Sequence, residues 1–148
     1  LLKENINIIK SLKQSHLGWA VNSLKSAIPA FLSLGYTTDG DICVDNTRKV
    51  ELILLTDSDG NTIELVAPIA DDSPVSGILK ANGPAPYHVC FSMNVEKGFD
   101  NYKKEFEKNG FIVLHKPSPA PLLQGKDVVF LYSQHIGLIE LVLDRKEI

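Results

Sequence analysis

The sequence predicts an α+β fold made of two βαβββ modules in a single chain. Three observations point to it. The order strand–helix–strand–strand–strand can be traced twice from end to end. The tetrapeptide IELV occurs in the fourth strand of both passes, where it carries Glu64 and Glu140, 76 residues apart. A histidine opens the first strand of both passes, His16 and His88, 72 residues apart. A near-constant offset is what internal duplication produces. A common strand tetrapeptide would explain IELV alone, but not the matched histidines.

Composition sets the frame. The 148 residues suit one compact domain or two tightly fused half-domains. Hydrophobic residues make up 44% and charged residues 22%, an ordinary balance for a chain that buries a core. A net charge of −3 gives no broad basic surface for nucleic acid. No run of ~20 apolar residues is present to span a membrane. No basic stretch followed by an apolar one and a small-residue cleavage site marks a secretory leader, so the expected compartment is the cytoplasm. Cys43 and Cys90 are too few for a metal cluster or a disulfide framework, and read as buried thiols in a reducing compartment.

The elements follow in order. Residues 1–14 form an N-terminal extension in which Leu2, Ile6 and Ile9 recur at helical spacing. The first module covers 15–67. Its opening strand, HLGWAV, alternates with Leu17, Trp19 and Val21 on one face. Ser23 is placed to cap a helix that runs to Gly35, and Pro29 inside it predicts a late start or a kink. A weak strand near Ile42 and a strong one, KVELILL, precede a turn at Asp59-Gly60 and the strand NTIELVA. Residues 68–85 are rich in Pro, Asp and Ser and read as a linker with a short helix near 74–81. The second module, 86–148, repeats the order: YHVCFSMNV, a helix with Phe99, Tyr102 and Phe106 on one face ending at Gly110, then FIVLHK, the loop PSPAPLLQG, DVVFLYS and LIELVLD.

Strand alternation singles out four residues. With Leu17, Trp19 and Val21 against the helix, His16 points the other way, and the same holds for His88 beside Val89, Phe91 and Met93. Glu64 interrupts Ile63 and Leu65, and Glu140 interrupts Ile139 and Leu141. A carboxylate inside an apolar strand is costly without a partner. Two carboxylates and two neutral imidazoles around one divalent cation would satisfy each other. That donor set suits Zn, Co, Ni, Mn or Fe, with coordination positions left open for water or substrate. His115 and His135 fall near turns and are expected to be exposed. Cys90 shares the face of His88 and reads as a packed thiol. No phosphate-binding glycine loop or Ser–His–Asp pattern is present.

The paired segments HLGWAV with YHVCFSM, and TIELVAP with LIELV, resemble the vicinal-oxygen-chelate superfamily of glyoxalases, bleomycin-resistance proteins and dioxygenases over about residues 15–144. The resemblance implies a cup-shaped mixed sheet around the metal, completed within one chain or across a homodimer. The stretch IELVAPIADDSPVSGILKANGPAPYHVCFSM is most similar to methylmalonyl-CoA epimerases, with their acidic-Ser-Pro phrase, short helix and His-initiated strand. On that likeness His16, His88 and Glu140 fall on metal ligands, Glu64 falls where some epimerases have Gln and glyoxalases have Glu, and Glu51 falls near a proposed catalytic base. The chain departs from epimerases in LYSQHIGLIEL, which lacks their Lys and glycine pair, and in PSPAPLLQG. No glutathione-binding signature is evident.

The implied activity is a metal-dependent isomerase that abstracts a proton α to a carbonyl of a small carbonyl or acyl-thioester substrate, with Glu140 and Glu51 as the proton-transfer groups. A glyoxalase-like lactoylglutathione lyase is the first alternative. A non-catalytic small-molecule binding protein is the second, though such relatives usually lack the full ligand set. A dioxygenase would use two His and one carboxylate on iron, and a fourth protein ligand would crowd out oxygen and substrate.

Overall fold

The computed structural model describes residues 12–95 and 98–144. The helical pattern of Leu2, Ile6 and Ile9 lies outside the described residues. The expected α+β class is found: among the described residues, three α-helices accompany nine strands that pair in both parallel and antiparallel fashion. None of these helices is long and apolar enough to cross a membrane.

By backbone contacts the described chain groups into two compact units. One comprises residues 16–88 and 121–124; the other comprises 12–15, 89–120 and 125–144.

In the first unit the strand order is β2-β3-β4-β1, formed by β1 (Leu12–Ala20, whose residues 16–20 lie in this unit), β2 (Thr37–Asp45), β3 (Val50–Thr56) and β4 (Thr62–Pro68). β1 runs parallel to β4, and β4 antiparallel to β3. Helix α1 (Leu24–Ser33) covers one face, where Val21, Leu24, Phe31, Ile53, Leu55, Ile63 and Leu65 are buried with Leu17 and Trp19 beside them. The other face packs Ala20, Val50, Leu52 and Val66 against Val75 and Leu79 of α2 (Pro74–Asn82).

The second unit repeats the plan. Its strand order is β5-β9-β8-β6, with β7 on β8; these are β5 (Ala85–Asn94), β6 (Ile112–Val113), β7 (Ser118–Pro119), β8 (Asp127–Ser133) and β9 (Gly137–Asp144). Helix α3 (Asp100–Lys108) lays Phe106 onto Met93, Val129, Leu131, Ile139, Leu141 and Leu143.

Four details differ from expectation. β1 begins at Leu12, so residues 12–14 belong to a strand and not to an extension; Leu12 packs against the second core. Helix α1 does not start late. Ser23, in extended backbone, accepts the Ser26 amide at once, and Pro29 sits on the exposed side, where the Lys25 carbonyl it leaves without a helical donor can meet water. The weak strand near Ile42 is nine residues long, and its exposure reflects its place at the end of the strand order. FIVLHK pairs over only two residues, and the loop after it holds β7 and a 3-10 turn at Pro121–Leu123. Pro117 and Pro119 lack the amide donors a longer ladder needs. The side chain of His115 takes over, its Nε2 accepting the Phe130 amide at 3.1 Å while Nδ1 donates to the Lys116 carbonyl at 2.7 Å.

Candidate metal centre

Strand pairing delivers the candidate ligands. On β1, His16, Gly18 and Ala20 face away from α1, and the parallel register sets Gly18 opposite Glu64. Glu64 therefore emerges on the face of His16. On β5, His88 and Cys90 share a face, and the parallel register with β9 sets Cys90 opposite Glu140. Each module thus places its glutamate beside the residue two past its histidine, which is why the offset survives in the sequence.

All four side chains are buried, at 3–5% exposure. His16 Nε2 lies 3.6 Å from Glu64 Oε2, and His88 Nε2 lies 3.8 Å from Glu64 Oε1, so one carboxylate faces an imidazole with each oxygen. The two imidazole rings are 6.0 Å apart at an interplanar angle of 74°. Within the first unit, one donor atom from each of His16, Glu64 and His88 lies within 4.8 Å of the others; in the second unit Glu140 is buried at the matching position of its own glutamate strand.

The 3.6 and 3.8 Å spacings fit a cation. They exceed hydrogen-bond distance, yet donors bonded at about 2.1 Å to one ion stand roughly 3.0–4.2 Å apart depending on the angle between them. Two nitrogens and two carboxylates carry a charge a divalent ion neutralises, and their chemistry matches borderline first-row metals. A buried His/Glu/His/Glu cluster of this kind could hold a metal ion. Apolar side chains flank the ligands within each unit: in the first, Leu54 is directly opposite Glu64 on β3 and the Tyr87 and His88 rings meet at right angles with centroids 4.4 Å apart; in the second, Phe130 is directly opposite Glu140 on β8.

Glu51 is not brought to this centre. It pairs with Ala67, three residues along β4 from Glu64, and alternation puts it on the opposite face, that of Ile53 and Leu55 beneath α1. The sequence shows which face Glu51 shares, but only the register ties that face to the helix side of Glu64. His115 is half-buried and bonded, not exposed; His135 is exposed. Cys90 is buried, whereas Cys43 is only half-buried. Two turn carboxylates are held below the usual pKa range: Asp57, through the Asn61 side chain and turn amides, and Asp72, through Lys49.

Sequence reasoning also missed Gly18. A Cβ built there would fall well under 3.0 Å from Cε1, Nδ1 and Nε2 of His88. The available signal was the offset itself, which aligns Gly18 with Cys90, 72 residues on.

A repeated βαβββ plan with buried histidines and glutamates on its strands defines a class of small α+β proteins built from two like modules. The Glyoxalase/Bleomycin resistance protein/Dioxygenase superfamily profile matches residues 15–130, and the chain belongs to that superfamily. A hypothetical protein from Bacillus halodurans has a similar structure, with a TM-score of 0.76, 25% identity, and 93% of this chain and 98% of that chain covered. Methylmalonyl-CoA epimerase from Mycobacterium tuberculosis superposes with a TM-score of 0.74 at 20% identity, covering 88% of this chain and 86% of that chain. A variant of Streptomyces coelicolor methylmalonyl-CoA epimerase, in complex with 2-nitronate-propionyl-CoA, gives 0.73 at 24% identity, with 89% and 94% covered. At these identities the epimerase likenesses speak for the fold alone. No curated protein matches the chain.

Proposed function

We propose that this protein is a divalent-metal-dependent isomerase that abstracts a proton α to a carbonyl, with an acyl-thioester of the methylmalonyl-CoA type as its substrate. The observation that carries the reading is the buried Glu64 carboxylate facing two buried imidazoles, His16 and His88, with a second buried carboxylate, Glu140, at the matching place in the other unit. His16, Glu64, His88 and Glu140 would hold the ion. When bound, it supplies Lewis-acid polarisation of a carbonyl oxygen. Glu140 takes the α-proton through a carboxylate oxygen, and Glu64 serves as the second proton-transfer carboxylate. Leu54 beside Glu64, Tyr87 beside His88 and Phe130 beside Glu140 give the ligands apolar neighbours. With Glu51 on the other face of the sheet, the proton-transfer work falls to the two carboxylates of the cluster.

That redistribution favours a second reading. A centre whose fourth ligand is Glu64, and whose two bases are both ligands, also suits a glyoxalase-like lyase acting on a thiol hemithioacetal.

The test is hydrogen exchange in deuterated water. Cobalt-loaded protein is given methylmalonyl-CoA, or the hemithioacetal of methylglyoxal and glutathione, and the substrate carbon-bound hydrogen is followed by NMR with a chelated control. Metal-dependent exchange of the first, slowed by about 10²–10⁴-fold in Glu140→Gln, is the expected result. Exchange of the second alone moves the assignment to the lyase. Exchange of neither, with cobalt bound, rejects both substrates and leaves a small-molecule binding protein.

A further inference from the structure

We propose that Gly18 is a positioning residue, and that its missing side chain is the seat in which the His88 ring is held. Gly18 is not a backbone necessity. It lies inside β1 and is not among the glycines with positive φ, so any residue could adopt its conformation. Glycine in a strand interior is unfavourable in itself and marks a close approach. Here the approach is specific: the atoms a Cβ would strike are three atoms of one imidazole. That ring is buried and packed at right angles to the Tyr87 ring, with centroids 4.4 Å apart, so it has no easy retreat.

The seat also fixes the ring relative to the carboxylate. Gly18 is the register partner of Glu64, the residue His88 Nε2 faces at 3.8 Å. One bare backbone position therefore sets the spacing of two candidate ligands. The equivalent position in the second module is Cys90, which carries a side chain, so the seat is not duplicated. Size at position 18 thus controls where the His88 nitrogen sits, and through it the affinity and geometry of the metal centre. The affinity part rests on the metal reading; the seat itself does not.

The experiment is a double-mutant cycle on the intact protein with Gly18→Ala, His88→Ala and the pair. Two quantities are read: cobalt affinity with its visible absorption spectrum, and the thermal midpoint of metal-free protein. Gly18→Ala is expected to weaken cobalt binding about 10- to 100-fold, the range for residues that orient a ligand, and to shift the cobalt spectrum toward that of His88→Ala. In the His88→Ala background the same substitution should cost nothing in either quantity, because the ring it would strike is gone. Native-like affinity and spectrum in Gly18→Ala, or a full additional loss in the pair, overturns the proposal. If Gly18→Ala alone does not fold, a folded double variant supports the seat and an unfolded one overturns it. If the unsubstituted protein binds no cobalt, the metal reading fails. The metal-free midpoints still decide the seat, with recovery in the pair supporting it and an undiminished loss refuting it.

Discussion

The two modules, taken side by side, keep the same backbone devices and differ in what lies next to the ligands. α1 ends with Gly35 at positive φ and the Tyr36 amide on the Phe31 carbonyl; α3 ends with Gly110 at positive φ and the Phe111 amide on the Phe106 carbonyl. In both, the rings on either side of the glycine meet edge-on, Phe31 with Tyr36 at 5.5 Å and Phe106 with Phe111 at 5.9 Å. The hairpin before each glutamate strand uses a side-chain oxygen to bind the amide two residues on, Asp57 to Asp59 and Ser133 to His135. Against this constancy stand Gly18 and Cys90, Leu54 and Phe130, and a nine-residue β2 against a two-residue β6. Helix ends and hairpins set the register, and the register delivers the histidine and glutamate; the inner positions around them have been free to diverge.

The largest test of this comparison is removal of one histidine from each module. His16→Ala and His88→Ala should each weaken cobalt binding by more than about a hundredfold, beyond the usual loss for a supporting residue. Competition with a chromophoric chelator measures it. Unchanged stoichiometry and affinity in one variant alone would take that histidine out of the ligand set and show that the two modules do not contribute alike.

A smaller effect concerns the cores that carry the glutamates. Leu65 and Leu141 follow Glu64 and Glu140 directly, and both are fully buried. Leu65→Ala and Leu141→Ala should each destabilise the protein by about 2–5 kcal/mol, the range for truncating a packed leucine. Urea unfolding followed by circular dichroism reads both. A loss under about 1 kcal/mol in one would mean that its core relaxes around the cavity, and that the two units are not equally close-packed.

The sequence made the duplication, the element order and all four buried cluster residues legible, because each depends on period-two alternation and a constant offset. What it hid has physical causes. Glu51 and Glu64 sit on neighbouring strands whose relative face depends on register, and a single residue of slip reverses the answer. The shortness of β6 follows from prolines several residues downstream and from His115 serving as a backbone substitute. Gly18 was hidden because its role is an absence of atoms, felt only through a ring that is 70 positions away in the chain.

The finest distinction lies at the helix starts. α1 is capped by the Ser23 hydroxyl, which accepts the Ser26 amide at 3.4 Å, whereas α3 begins after Phe99 with no side-chain cap and carries Asp100 in its first turn. One helix is tied by a local hydrogen bond and the other by charge acting on the helix dipole. Ser23→Ala should therefore cost about 0.5–1 kcal/mol, the lower part of the range for caps because the bond is long, and the loss should persist in molar salt. Asp100→Asn should cost less, and added salt should remove the difference, since exposed charge–dipole effects are screened. Urea unfolding of both variants at low and high salt separates the two. A salt-sensitive loss at Ser23, or a salt-independent one at Asp100, would show that the two modules start their helices by the same means after all.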